Sequence, residues 1–205
     1  SMGVLQLDVV VRGIPSHASQ PWYGVNAFED GVRIAHLLIE GLKSKIEDRQ
    51  FMGERAAITL GGLVRGGNAR NIIPSYFQFS VDRRVLPNED IGSVFNELVS
   101  YVNELRNSIK SAIDFYIVNM VEPALNSRSE LLDKLITIIR NTLHVGPRVS
   151  ISRVPVDTRY LQRINVDALT YGPGDVLSAH GPDEYIYVGD IINAVNVYAE
   201  LIKSI

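Results

Sequence analysis

The feature that most constrains this chain is an ordered switch of hydrophobic period through its N-terminal part. Leu5, Leu7, Val9 and Val11 alternate with Gln6, Asp8 and Arg12, the two-residue period of a strand with one buried face. Phe28, Val32, Ala35, Ile39 and Leu42 then recur at helical spacing behind Asn26, an N-cap residue with Glu29 placed to close a capping box. Strands are predicted over Ala57–Val64 and Tyr76–Val85, joined by the loop Arg65–Pro74. A second helical stripe, Ile91, Phe95, Leu98, Val102 and Leu105, leads to a predicted strand over Ile113–Val118 and a stop at Glu122-Pro123. The order β-α-β-β-α-β is that of the split βαβ sandwich, with two helices on one face of an antiparallel sheet. It predicts an α+β, ferredoxin-like domain over residues 1–123.

The remainder, residues 124–205, has a different rhythm. A helix is predicted over Ser129–Leu143, with short apolar strands at Val149–Val154 and Ala168–Tyr171. A loop from Gly172 to Gly189 precedes a last helix carrying Ile191, Val195, Tyr198 and Ile202. Strands apolar on both faces belong to a buried, mostly parallel sheet, and there are too few elements here to cover one. The expectation is an incomplete α/β segment. Its apolar surfaces should be shielded by the first domain, a second copy or a swapped copy, because large exposed apolar patches are uncommon.

Composition excludes several classes of function. With no cysteine in 205 residues, thiolate metal sites, disulfides and thiol nucleophiles are ruled out. A net charge of -3 without a long basic run argues against nucleic acid or a membrane surface as partner. No apolar run is long enough to span a bilayer; the absence of cysteine leaves the compartment open, with the cytoplasm as the default.

The unusual polar residues sit in loops, in four groups. The first is Gly13-Ile14-Pro15-Ser16-His17-Ala18-Ser19-Gln20-Pro21, leading to Gly24-Val25-Asn26-Ala27. The second runs from Gly61-Gly62 through Gly67-Asn68-Ala69-Arg70-Asn71-Ile72-Ile73-Pro74 to Val81-Asp82-Arg83-Arg84. Val156-Asp157-Thr158-Arg159-Tyr160 is the third. The fourth is Tyr171-Gly172-Pro173-Gly174, followed by Ala179-His180-Gly181-Pro182-Asp183-Glu184-Tyr185.

In this order the four groups resemble the M20 family of metallopeptidases and amidohydrolases, which includes acetylornithine deacetylase, succinyl-diaminopimelate desuccinylase and aminoacylase. The resemblance covers essentially the whole chain. It implies that residues 1–123 are a lid and dimerisation domain, and that residues 124–205 are the C-terminal part of a zinc-hydrolase catalytic domain. It implies a homodimer through the lid, and an N-acyl amino acid or peptide amide as substrate. His17 would stabilise the oxyanion in the partner subunit's site, Asn71 and Arg159 would bind substrate, and His180 would ligate zinc or another divalent metal. Each has a plainer structural alternative. His17 could be a turn histidine satisfied by local hydroxyls, Asn71 a turn or cap residue, Arg159 a partner for Asp157, and His180 an exposed loop residue. Arg84 is read as a strand-end ion pair with Asp82, and His36 and His144 as ordinary structural residues. Arg153-Val154-Pro155-Val156 stands where many members carry a Gly-rich stretch with Ser or Thr, so that pocket wall differs.

The same resemblance exposes what is missing. No His-x-Asp and no Glu-Glu pair occurs, although the family uses both to hold two metals and to supply the base. The chain on its own is therefore expected to hold no stable metal and to be inactive, as a fragment of such an enzyme. The alternative is a non-catalytic dimerisation or binding module. A regulatory amino-acid-binding domain of the same topology is a third option, disfavoured because it has no use for the fourth loop group.

Overall fold

The computed structural model describes residues 1–126, 129–174, 178–179 and 181–204. The chain divides into two compact units, Ser1–Ala124 with Ser150–Pro155, and Leu125–Val149 with Val156–Ile205.

Unit 1 is a four-stranded antiparallel sheet with helices on one face. Strand β1 (Gly3–Arg12) lies in the middle, pairing with β3 (Tyr76–Val85) on one side and β4 (Ala112–Val121) on the other. Strand β2 (Ala57–Gly66) pairs only with β3, giving the order β2-β3-β1-β4. The alternation seen in β1 is realised as burial: Leu5, Leu7, Val9 and Val11 are buried against the helices, and Arg12 is exposed. Helix α1 (Ala27–Leu37) starts at Asn26, whose side-chain oxygen accepts from the backbone N–H groups of Phe28 and Glu29. Helix α2 (Ile91–Asn103) starts at Asp90, which accepts from Ser93 N–H at 2.7 Å, and buries Ile91, Val94, Leu98 and Val102.

The buried face of α1 differs from the expected one. Ala27, Gly31 and Ile34 are inside with Leu38, Leu42 and Ile46, whereas Phe28, Val32 and Ile39 are about half exposed. Two causes act together. A Cβ on Gly31 would lie 2.2 Å from Phe77 Cδ1, so this glycine lets the helix approach β3 more closely than a stripe of large residues could. A π turn over Leu38–Lys43 then widens the helix, so that a spacing of four keeps Ile34, Leu38, Leu42 and Ile46 on one face.

The segment Ser150–Pro155 is not the strand expected over Val149–Val154. It returns to unit 1, where Ile151 joins the core and Ser152 O accepts from Met2 N–H at 2.8 Å. Arg153 Nε donates to Glu54 Oε2 at 2.6 Å.

Unit 2 contains α3 (Glu130–Leu143), the short α4 (Thr158–Arg163) and α5 (Val188–Lys203). Leu135 and Ile139 of α3 meet Val197 of α5 to form a small core, with Leu169 and Tyr171 packed against it. Among its described residues there is no strand, so the strand expected at Ala168–Tyr171 is not formed. Its carbonyls are taken by side chains instead of a ladder. Ala168 O accepts from Asn126 Nδ2 and Gln162 Nε2, and Tyr171 O accepts from the Tyr198 hydroxyl. Within the single chain Ile191, Val195, Tyr198 and Ile202 of α5 are exposed. Helix α5 is apolar on several sides, and α3 can cover only one of them.

Candidate active-site loops

Two loops of unit 1, far apart in sequence, are zipped together by backbone hydrogen bonds. The loop after β1 is closed on itself by the Ile14–Val25 bridge. It is joined to the loop before β3 by the His17–Ile72 bridge, with Ala18 N–H donating to Asn71 O at 2.9 Å and Ile73 N–H to Ser16 O at 2.8 Å. Loops usually satisfy their backbone groups with water, so this pairing fixes both backbones at a place where side chains remain free.

Both residues singled out from the sequence sit at this junction. His17 is exposed, and Ser19 lies against its ring, with Oγ 2.7 Å from Nδ1 and its backbone N–H donating to Nδ1 at 3.2 Å. Asn71 is exposed too; its carbonyl is engaged by Ala18, and no hydrogen bond among the described residues holds its side-chain amide. The Asn71 side chain is therefore neither a cap nor a turn brace. Beside the junction is a cavity of about 450 Å³, with Pro15, Arg65, Asn68, Ile73 and Tyr76 on its walls. Gly66 and Gly67 shape its rim at φ +151° and +72°, conformations that side chains rarely adopt. Arg65 and Tyr76 were not singled out from the sequence; the Gly66-Gly67 pair beside Arg65 is the signal that could have pointed to this wall.

The remaining sequence-predicted residues fall elsewhere. Arg159 belongs to unit 2, at the start of α4. Its Nη1 is 3.7 Å from Asp157 Oδ1, a loose pair with an almost fully exposed carboxylate. Its Nη2 donates to the Tyr160 hydroxyl at 2.7 Å, and its guanidinium lies over the Tyr160 ring. Arg84 chelates Asp82 through Nε and Nη2 at 2.8 and 3.2 Å, the strand-end pair expected of it. His36 is an exposed residue of α1, and His144 ends α3 in a left-handed conformation, φ +56°. His180 lies outside the described residues. Among the described residues no three histidine, aspartate or glutamate side chains converge to hold a metal, so these residues do not by themselves make a metal site. No helix among them is long and apolar enough to cross a membrane.

Unit 1 is a mixed sheet-and-helix unit that displays an exposed asparagine and an exposed histidine from two clamped loops. The chain belongs to the M20 family: the model of its peptidase dimerisation domain matches residues 1–110. Across 98% of its length the chain is 25% identical to an uncharacterized metallohydrolase of Methanocaldococcus jannaschii, covering 52% of that protein. It is 26% identical to an acetylornithine deacetylase of Myxococcus xanthus, with the same two coverages. A tripeptidase of Staphylococcus aureus superposes on 98% of the chain with a TM-score of 0.79 at 16% identity, a likeness of fold, and 51% of that structure is covered. The chain thus spans about half the length of the curated relatives it matches.

Proposed function

We propose that this chain works as the lid and C-terminal portion of a metal-dependent amidohydrolase of the cytoplasm. Its substrate would be the amide bond of an N-acyl amino acid or a small peptide. The observation that carries this reading is the clamped junction of His17 and Asn71, two polar side chains held on rigid backbone beside a cavity. Residues 1–123 act as the lid, with the return 150–155 packed into it, and the rest of residues 124–205 act as part of the catalytic domain. His17 is proposed to donate a ring N–H to the developing oxyanion in the partner subunit's site, where such a donor lowers the barrier. Asn71 hydrogen-bonds the substrate. Arg159, whose planar fork matches a carboxylate and whose bond to Asp157 is loose, pairs with the substrate's acid group. His180 is proposed as a ligand of zinc or another divalent ion, with the other ligands and the base supplied by polypeptide outside these 205 residues.

The dimer is proposed to form through α1 and the neighbouring sheet edge. Phe28, Val32 and Ile39 make an exposed apolar stripe there, and β2 pairs with β3 alone.

The sequence encoded immediately upstream of Met2 tests the reading. We expect a frame carrying His-x-Asp and Glu-Glu. Its product joined to this chain should hydrolyse N-acetylornithine or succinyl-diaminopimelate with zinc, cobalt or manganese, and His180→Ala should abolish turnover. Amide hydrolysis by the 205-residue chain alone, above a His180→Ala control, would overturn the proposal. Failure of both to turn over would favour a binding and dimerisation module.

A further inference from the structure

The ring of His17 is held by its own turn. Gln20 N–H donates to His17 O at 2.9 Å, closing the turn His17–Gln20, and the bridge to Ile72 fixes the backbone on the other side. Inside that turn Nδ1 stands where the oxygen of an Asx side chain would stand, receiving the backbone N–H of the residue two positions on. This contact and the Ser19 hydroxyl both bear on the ring's protonation pattern. A backbone N–H can only donate, so at 3.2 Å it favours a lone pair on Nδ1 and the single proton of the neutral imidazole on Nε2. The Ser19 hydroxyl is the nearer partner, 2.7 Å from the same nitrogen, and as a donor there it holds that tautomer.

We infer that Ser19 is a positioning residue, which holds His17 as its Nε2–H tautomer and fixes the ring plane so that one N–H faces out of the turn. The inference rests on the proposed oxyanion role for its meaning but not for its test. A donor that is already oriented before substrate arrives has less reorganisation left to do than a freely rotating ring of mixed tautomers. Ser19 touches neither substrate nor reacting atoms in this scheme. It acts through His17 alone.

The test is the imidazole 15N spectrum of the full chain with its rings neutral, with His17 assigned by loss of its signals in His17→Gln. We expect one acceptor-type and one N–H-type resonance, Nδ1 and Nε2 respectively. Ser19→Ala should move both toward the averaged pattern of free imidazole, and Ser19→Thr, which keeps both donors, should restore the wild-type pattern. The amide signals of Ala18 and Ile73 report whether the loop junction survives each substitution. A protonated Nδ1 in the wild type overturns the inference, and so does an unchanged pattern in Ser19→Ala. If the spectra behave as expected but His17→Gln leaves turnover of the upstream-extended enzyme intact, the oxyanion role fails while the positioning role of Ser19 stands.

Discussion

Arg83 projects from the buried face of β3, opposite Leu5, and its Nη2 lies 2.6 Å from Glu89 Oε1. The arginine side chain is wholly buried, and burial pushes its pKa below the ordinary arginine value against the opposing pull of Glu89. Glu89 also accepts from Arg49 Nη1 at 3.1 Å and from Leu86 N–H at 2.8 Å, so one carboxylate satisfies three donors. Removing it strands a buried cation. We expect Glu89→Ala to destabilise unit 1 by about 3–5 kcal/mol, and Arg83→Met to cost clearly less because Glu89 keeps Arg49. Urea unfolding of both variants checks this; equal losses would contradict it.

Gly31 faces Phe77, which stacks edge-on against Phe28 with ring centroids 5.4 Å apart. An added methyl there would lie 2.2 Å from one ring carbon and 2.8 Å from the next. Phe79 also lies near the ring, with centroids 6.2 Å apart. Gly31→Ala should therefore cost about 1–3 kcal/mol by overpacking. Gly92→Ala, whose methyl would meet nothing closer than 3.4 Å, is the matched control and should cost nothing measurable.

Asp90 caps α2, and the Ser93 N–H holds its carboxyl below the ordinary aspartate value. A lowered folded-state pKa means that the ionised form stabilises the fold. That contribution is complete above the ordinary aspartate value and disappears as the pH falls through the lowered one. Asparagine caps without titrating. Thermal unfolding on an acid pH series should show wild type losing stability relative to Asp90→Asn as the pH drops; parallel curves would refute the assignment.

The exposed stripe of α1 gives the dimer proposal a direct handle. Light scattering at micromolar concentration should report a dimer for the wild type. Val32→Glu places a charge in the middle of the stripe and should yield monomer with an unchanged circular dichroism spectrum. A monomeric wild type sinks the proposal.

What could be read from the sequence follows from whether one periodicity had a single solution. The alternation in β1 and the α2 stripe each allowed one buried face, and the cap Asn26 depends only on local geometry, so these are visible in the residues alone. Helix α1 offered two apolar stripes. The choice between them was made by Gly31 and Phe77, a contact across nearly fifty positions. The stretches Val149–Val154 and Ala168–Tyr171 have strand-like composition but no ladder partner, and composition carries no information about partners. The loop junction was hidden for a similar reason. Ala18 and Asn71 meet through backbone atoms, which leave no trace in side-chain pattern, so the sequence pointed to His17 and Asn71 separately but not to their adjacency.

The return of Ser150–Pro155 has a consequence for how this unit can be inherited or borrowed. Its core needs Ile151 and its first strand needs the carbonyl of Ser152, yet both are encoded after the helix α3 of the other unit. A gene segment ending at Ala124 would encode all four strands and still leave a hole where Ile151 belongs and an unsatisfied donor at Met2. The unit is therefore not a cassette that recombination could move as one uninterrupted stretch. Grafting it onto another protein would require carrying the six-residue return as a second, separate piece.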